Sequence, residues 1–465
     1  MSYRTLEDAL QAAGNPVQMM RNSQIGPYAF PVVRHEFTNW RDEQRSWRET
    51  CALFDQSHHM TDLYLEGPDA LKVLSDLGVN TFKNFKVNQA KQFVACNHDG
   101  YVIGDAILFY LSEDRFSLVG RPPAANWVQY NVETGGYNAR ADRDVRSAEG
   151  QGRRKFYRFQ VQGPHALKVM EKVTGKPAPD IRFFNMDVMG VAGRSVHALR
   201  HGMVGQPGWE LFGPWEDAET VRAAIVDAGR EYGIRQVGAR TYPTSCLESG
   251  WIPSPLPAIY TGDKMKPYRE WLAGTSYEAT ASLGGSYTSD NIADYYLTPY
   301  DLGYGPFVKF DHQFVGREAL EKMAGNPQRK KVTLVWNGDD VTRAFGSMFN
   351  TDPSGDPGKY IDLPLANYAT LPYDKVLKNG KPVGISTYTG YTFNERAMVS
   401  LAMVDVALSE PGNEVTVVWG EEQGGSTKPT VERHKQVEIR ATVAPAPISD
   451  VARSSYRPKP ERDLV

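Results

Sequence analysis

Two stretches of this chain alternate apolar and polar side chains and then switch to a helical period. Asp62-Leu63-Tyr64-Leu65 leads through Glu66-Gly67-Pro68-Asp69 into Ala70-Leu71-Lys72-Val73-Leu74. Phe156-Tyr157-Arg158-Phe159 leads through Val161-Gln162-Gly163-Pro164-His165 into Ala166-Leu167-Lys168-Val169-Met170. A period of two predicts a strand and a period near 3.6 a helix, so each stretch reads as strand, sharp turn, helix. Glycine permits the bend. Proline near the first helical turn gives up an N–H that has no partner there anyway. The shared x-Gly-Pro-x-Ala-Leu-Lys-Val pattern predicts two related α+β subdomains. Phe314-Val315-Gly316-Arg317-Glu318-Ala319-Leu320 is a third strand–turn–helix of related form.

Elsewhere the pattern marks boundaries. Asn126-Trp127-Val128-Gln129-Tyr130-Asn131-Val132 predicts a helix. Gly136 to Arg154 is polar, rich in Arg and Gly and without apolar period, so it predicts a connector. From Lys331 the character changes. Val332–Trp336, Pro382–Ser386, Met398–Val404 and Glu414–Trp419 are β-branched runs between Gly, Pro, Asn and Asp turns, which predict a small barrel or sandwich. Ala444 to Val465, proline-rich and of mixed charge, predicts an extended tail. The expected order is α+β over 1–325, with one interleaved subdomain at roughly 63–150, then a β-rich domain over 326–443 and a tail over 444–465.

At 465 residues the chain is too long for one core, which agrees with several domains. With 52 basic and 55 acidic residues the formal net charge is -3, so neither nucleic acid nor an anionic membrane is an expected partner. Cys51, Cys96 and Cys246 are widely spaced and form no CxxC pair. No disulfide framework and no metal site is expected, and a reducing, cytoplasmic compartment is. The opening MSYRTLEDALQAAG reads as a short amphipathic helix rather than a secretion signal, and no apolar run approaches the roughly 20 residues that span a bilayer. Neither GxGxxG nor GxxxxGK[ST] occurs in a strand-to-helix setting, so no dinucleotide or phosphate loop is indicated.

More specific are Gly238-Ala239-Arg240 followed by Leu247-Glu248-Ser249-Gly250-Trp251, and Gly303-Tyr304-Gly305-Pro306-Phe307-Val308-Lys309-Phe310-Asp311. With Asp55-Gln56-Ser57-His58-His59, Gly104-Asp105 and Gly205-Gln206-Pro207-Gly208-Trp209-Glu210, they resemble the folate-binding aminomethyltransferase family. Asn22–Gly26 and the Pro-rich run from Trp251 to Lys264 are similar to its branch of tetrahydrofolate-dependent O-demethylases of lignin-derived methoxybenzoates, such as vanillate and syringate. The resemblance implies a three-domain ring with a C-terminal β-barrel and folate in a central channel. It also implies methyl transfer from an aryl ether to tetrahydrofolate, in the catabolism of lignin-derived aromatics. Transfer from an aminomethyl or sulfonium donor, and a folate-binding scaffold without catalysis, are the alternatives.

The chemistry is a methyl transfer from oxygen to the N5 amine. The amine needs no strong base, and the departing phenoxide needs donors or cations aimed at its growing charge. Tyr242 is expected as acid or oxyanion donor, with Arg121 pairing the arene's carboxylate or steadying the phenoxide. If His58 and His59 lie in a strand, only one faces the channel. Spacing to Gly67-Pro68 favours His59, with Gln56 assisting on the same strand end. Tyr28 and Phe30 are expected walls for the arene. The resemblance assigns Glu210 to the pterin N–H groups, a carboxylate accepting two hydrogen bonds. Gln162 is a further pterin or substrate contact, Trp251 a stacking surface for the aminobenzoyl portion, and Asp105 a supporting residue.

Overall fold

The computed structural model describes residues 3–24, 30–152, 154–178, 181–253, 255–349, 355–425 and 427–455. Its first eleven strands are β1 (Cys51–Asp55), β2 (Thr61–Glu66), β3 (Ala90–Cys96), β4 (Val102–Ser112), β5 (Arg115–Gly120), β6 (Arg140–Asp144), β7 (Phe156–Gln162), β8 (Met186–Val191), β9 (Arg194–Arg200), β10 (Gly208–Pro214) and β11 (Ile234–Val237). They build two sheets that interleave along the chain. One has the order β3-β4-β5-β2-β6, the other β11-β1-β7-β10-β9-β8. β1 pairs with β7 and β11, so the whole five-stranded sheet is made while β1 waits for its neighbours.

The repeated Gly-Pro turn is the same device in both sheets. Gly67 has φ +134° and Gly163 φ +139°, conformations that a side chain strains. A Cβ on Gly67 would lie 2.6 Å from the Asn138 carbonyl oxygen, and one on Gly163 would lie 2.6 Å from that of Thr50. Two residues further on, the backbone N–H of Asp69 and of His165 donates to that same carbonyl. The turn is thus pinned to a neighbouring segment before the helices Ala70–Leu77 and Ala166–Thr174 begin. Gly163→Ala is expected to cost about 2–3 kcal/mol through strain and contact. Gly190→Ala, with nothing within 4 Å of the new methyl, is expected to leave the thermal midpoint nearly unchanged. Thermal unfolding of the two variants checks this.

The remaining strands are β12 (Leu283–Gly284), β13 (Arg329–Trp336), β14 (Leu371–Pro372), β15 (Asp374–Lys378), β16 (Lys381–Thr392), β17 (Ala397–Asp405), β18 (Glu414–Trp419) and β19 (Val437–Ala444). Six of them close a barrel in the order β13-β17-β16-β15-β18-β19, and β12 pairs with β14 beside it. Trp336, Trp419, Val376, Val417 and Ile439 are among the residues filling its core. Among the described residues no helix is long and apolar enough to cross a membrane.

Three expectations change. The polar stretch 136–154 is not only a connector: Arg140–Asp144 forms β6, an edge strand on β2 whose residues alternate toward solvent. Phe314 and Val315 form no strand, and only the helix Arg317–Met323 follows Gly316. The tail is not extended as far as it is described. Asp450–Ser455 is helical and Ala452 packs where a side chain on Gly205 would otherwise sit. Residues 456–465 lie outside the described residues.

Candidate active site

A cavity of about 690 Å³ is walled by both sheets and the barrel. That volume suits a ligand of drug size or larger. Behind its Glu210 wall lies β7, whose side chains alternate. Tyr157, Phe159 and Val161 turn into one apolar core, so Arg158, Gln160 and Gln162 turn the other way. Across the ladder Glu210 stands opposite Gln160 and also points away from that core.

Glu210 is 4% exposed and ends a buried chain of alternating charge. Arg158 Nη1 donates to Glu210 Oε1 at 2.8 Å and Arg158 Nε to Asp62 Oδ2 at 3.1 Å. Arg154 Nη2 donates to Asp62 Oδ1 at 3.3 Å and Arg154 Nε to Asp144 Oδ2 at 3.2 Å. The chain therefore runs from β6 of one sheet to β10 of the other. The Arg158 guanidinium also lies 4.7 Å from the Phe109 ring centre and 4.8 Å from that of Phe212. Burial alone would raise the Glu210 carboxyl, but the His201 imidazole, 3.6 Å from Oε2, and the Arg158 charge outweigh it and hold it below its ordinary value. Glu210 is a carboxylate.

Gln162 is engaged with a loop. Its Oε1 accepts from the backbone N–H of Met203 at 2.8 Å and of Val204 at 3.2 Å, and its Nε2 donates to the Gln206 carbonyl at 2.7 Å. Both ends of the amide hold the Gly202–Pro207 loop, and Gln162 is not in the cavity wall. In that position it shapes the loop.

Tyr242 opens a single 3-10 turn over Tyr242–Thr244 that runs into the helix Ser245–Ser249. Gln56 Nε2 donates to Tyr242 Oη at 3.1 Å. Among the described residues Gln56 Oε1 is buried without a partner. Burial pushes the Tyr242 phenol well above its ordinary value, so the hydroxyl keeps its proton. The His59 ring packs edge-on against Tyr242 with centres 4.6 Å apart, and Phe30 lies 4.9 Å from Tyr242. Burial, then the charges of Arg121 and Arg154, hold His59 well below its ordinary value, so it is neutral. Arg121 stands just after β5, at the head of the helix Pro122–Thr134, and lines the same cavity.

The two histidines sit in a turn between β1 and β2, not in a strand, so alternation does not decide which faces inward. His59 lines the cavity. His58 turns away, with Nδ1 2.7 Å from Ser147 Oγ and Nε2 3.7 Å from Asp55 Oδ2. Tyr28 lies outside the described residues.

Trp251 and Asp105 belong to one cluster. Trp251 Nε1 is shared between Asp105 Oδ2 at 3.0 Å and Tyr304 Oη at 2.9 Å. Tyr304 Oη and Gln92 Nε2 donate to the same carboxylate oxygen at 2.8 and 2.6 Å. Burial pushes the Asp105 carboxyl up against these donors. The Trp251 indole is thereby fixed, with its ring forming part of the wall. Arg158, Asp62, His201, Tyr304, Lys331 and Tyr388 went unidentified in the sequence. Arg158 left a trace as a charge inside the otherwise apolar Phe156-Tyr157-Arg158-Phe159, and Tyr304 lay inside a quoted motif.

Residues 7–254 match the family model described as the GCVT N-terminal domain. The chain is 50% identical to a syringate O-demethylase of a Sphingobium species, over 97% of this chain and 98% of that one. It is 30% identical to a sesamin methylene transferase of a Sinomonas species, over 92% of each. Among solved structures, the glycine cleavage system aminomethyltransferase T of Bartonella henselae superposes with a TM-score of 0.60 at 20% identity, covering 92% of this chain and 95% of that one.

Proposed function

Because this chain belongs to the aminomethyltransferase family, we propose that it is an O-demethylase that moves the methyl group of a methoxybenzoate, syringate foremost, to tetrahydrofolate. The half-identity to a syringate O-demethylase supports the substrate, and 3-O-methylgallate and vanillate belong to the same chemical class. A cytoplasmic location, which three free cysteines favour, is part of the same proposal.

The cavity fits a pterin. Glu210 is charged and has lone pairs beyond the one that Arg158 occupies, and the Phe183 and Phe184 rings with Met60 and Ile107 supply apolar wall. When bound, tetrahydrofolate supplies the N5 amine that accepts the methyl group. Glu210 receives the ring's N–H donors, and the charge chain behind it keeps that carboxylate from turning. Trp251, held by Asp105 and Tyr304, offers its face to the aminobenzoyl portion. Arg121 draws the arene's carboxylate, and Phe30 with neutral His59 confines its ring. Tyr242 then donates a hydrogen bond to the ether oxygen as it gains charge. Its raised pKa makes it a donor that keeps its proton, so it acts as an oxyanion stabiliser instead of a proton-transferring acid.

The observation that carries this reading is the Tyr242 hydroxyl itself. Gln56 donates to its oxygen, and we read its proton, which no acceptor takes among the described residues, as directed to a group in the cavity. The test is incubation with syringate, with and without tetrahydrofolate. Folate-dependent loss of one methyl group and appearance of 5-methyltetrahydrofolate is the expected result. Folate binding without methyl transfer from any donor would favour the scaffold alternative.

A further inference from the structure

A bulged residue of the barrel reaches the cavity. In β16 the pairing to β17 shifts between Thr387, opposite Leu401, and Thr389, opposite Ser400. Tyr388 is the extra residue, and its φ is +48°, a value that a bulky aromatic side chain rarely adopts. Strain of this kind persists only where surrounding contacts impose it. Here the bulge turns Tyr388 out of the barrel. Its Oη donates to the Pro243 carbonyl at 2.9 Å, one residue beyond Tyr242.

Tyr388 also stands between two hollows. Beside the main cavity lies a second of about 60 Å³, and Phe30, Arg121, Pro243, Pro253 and Tyr388 line both. An apolar cavity that holds benzene measures roughly 150 Å³, so the smaller hollow has no room for an aromatic ring of its own. Beyond the partition it is bounded by Ala366, Ala369 and Thr389, among others.

We propose that Tyr388 is a positioning and specificity-determining residue: its hydroxyl fixes the turn that aims Tyr242, and its ring is the partition that limits the size of the aryl ether admitted. This inference rests on the proposed function and extends it to the substrate's dimensions. The Tyr388 hydroxyl is committed to the Pro243 carbonyl. It acts on the reaction through Pro243 and Tyr242, and on selection by denying bulky ring substituents the smaller hollow.

Two variants of the full-length protein separate the roles. Tyr388→Phe keeps the ring and loses only the pin. It is expected to lower kcat for syringate about fivefold to tenfold with KM and folate affinity within twofold of wild type. Tyr388→Gly suits the positive φ, so the bulge is retained while the two hollows merge. It is expected to shift the kcat/KM ratio by tenfold or more toward a methoxybenzoate bearing a benzyloxy group, relative to syringate. Wild-type kcat in the Phe variant together with an unchanged ratio in the Gly variant overturns the proposal. So does loss of folate binding and thermal stability in both, which would make Tyr388 a structural prop. If the wild-type protein demethylates nothing, the function reading has failed. The partition is then read by calorimetry, as gained affinity of the Gly variant for the benzyloxy compound, and no gain overturns it.

Discussion

Tyr242→Phe is expected to lower kcat for syringate about 100-fold to 1,000-fold while KM changes little, the effect of removing one preorganised donor to a developing oxyanion. The substitution keeps the ring that Phe30, Phe54 and His59 pack against, at 4.9, 5.7 and 4.6 Å between centres, so the wall of the cavity survives. What disappears is one hydroxyl and the hydrogen bond from Gln56. Arg121→Ala provides the contrast. A guanidinium that binds the carboxylate equally in ground and transition states should raise KM and spare most of kcat. Steady-state kinetics on the two variants reads the difference. A Tyr242→Phe enzyme with kcat within threefold of wild type would remove the phenol from the reaction.

Glu210→Gln is expected to weaken tetrahydrofolate binding about 100-fold, measured by calorimetry, with thermal stability falling alongside. Two physical losses coincide. The amide offers an NH₂ where the pterin also offers donors, and Arg158, 2% exposed, loses the charge that balanced it. Removing one partner of a buried ion pair typically costs about 3–5 kcal/mol, so a drop in the thermal midpoint should accompany the affinity change. The pH dependence has a definite sign. The Glu210 carboxyl is held below its unfolded value, so its contribution to stability is present above that value and is lost as pH falls through the lower, folded one. Folate binding should therefore persist into acid beyond the range where an ordinary glutamate protonates. Unchanged affinity in the Gln variant would show that the pterin lodges elsewhere.

Local patterning made the strand–turn–helix echo legible, because a Gly-Pro turn after an alternating run leaves a covalent signature. The same held for the β-branched strands from Val332 onward. β6 was hidden because an edge strand with exposed Arg and Asp looks like a loop when burial is the signal read. The residues of the candidate site divide in the same way. Glu210, Tyr242 and Arg121 stand beside glycines and prolines that mark their motifs. Tyr304 lay inside a quoted motif, yet nothing in the spacing showed its hydroxyl meeting Asp105. The partner of Glu210 was harder still. Arg158 lies 52 residues away in sequence, and only the pairing of β7 with β10 brings them together. For Gln162, alternation gives the face the residue turns to and says nothing about the backbone loop its amide meets there.

The threading of the two sheets has a consequence for how this protein comes into being. β1 emerges from the ribosome early, but its antiparallel neighbour β7 and its parallel neighbour β11 follow far behind, after an entire second sheet has been synthesised. Until then β1 is a nascent segment with both edges bare, of the kind that invites pairing with another molecule. Closing such distant partners is slow, since the loop entropy is spent before the contacts repay it. A truncation ending before β7 leaves both edges of β1 bare, and one ending between β7 and β11 leaves one of them bare, so this half of the molecule should resist dissection into autonomous pieces.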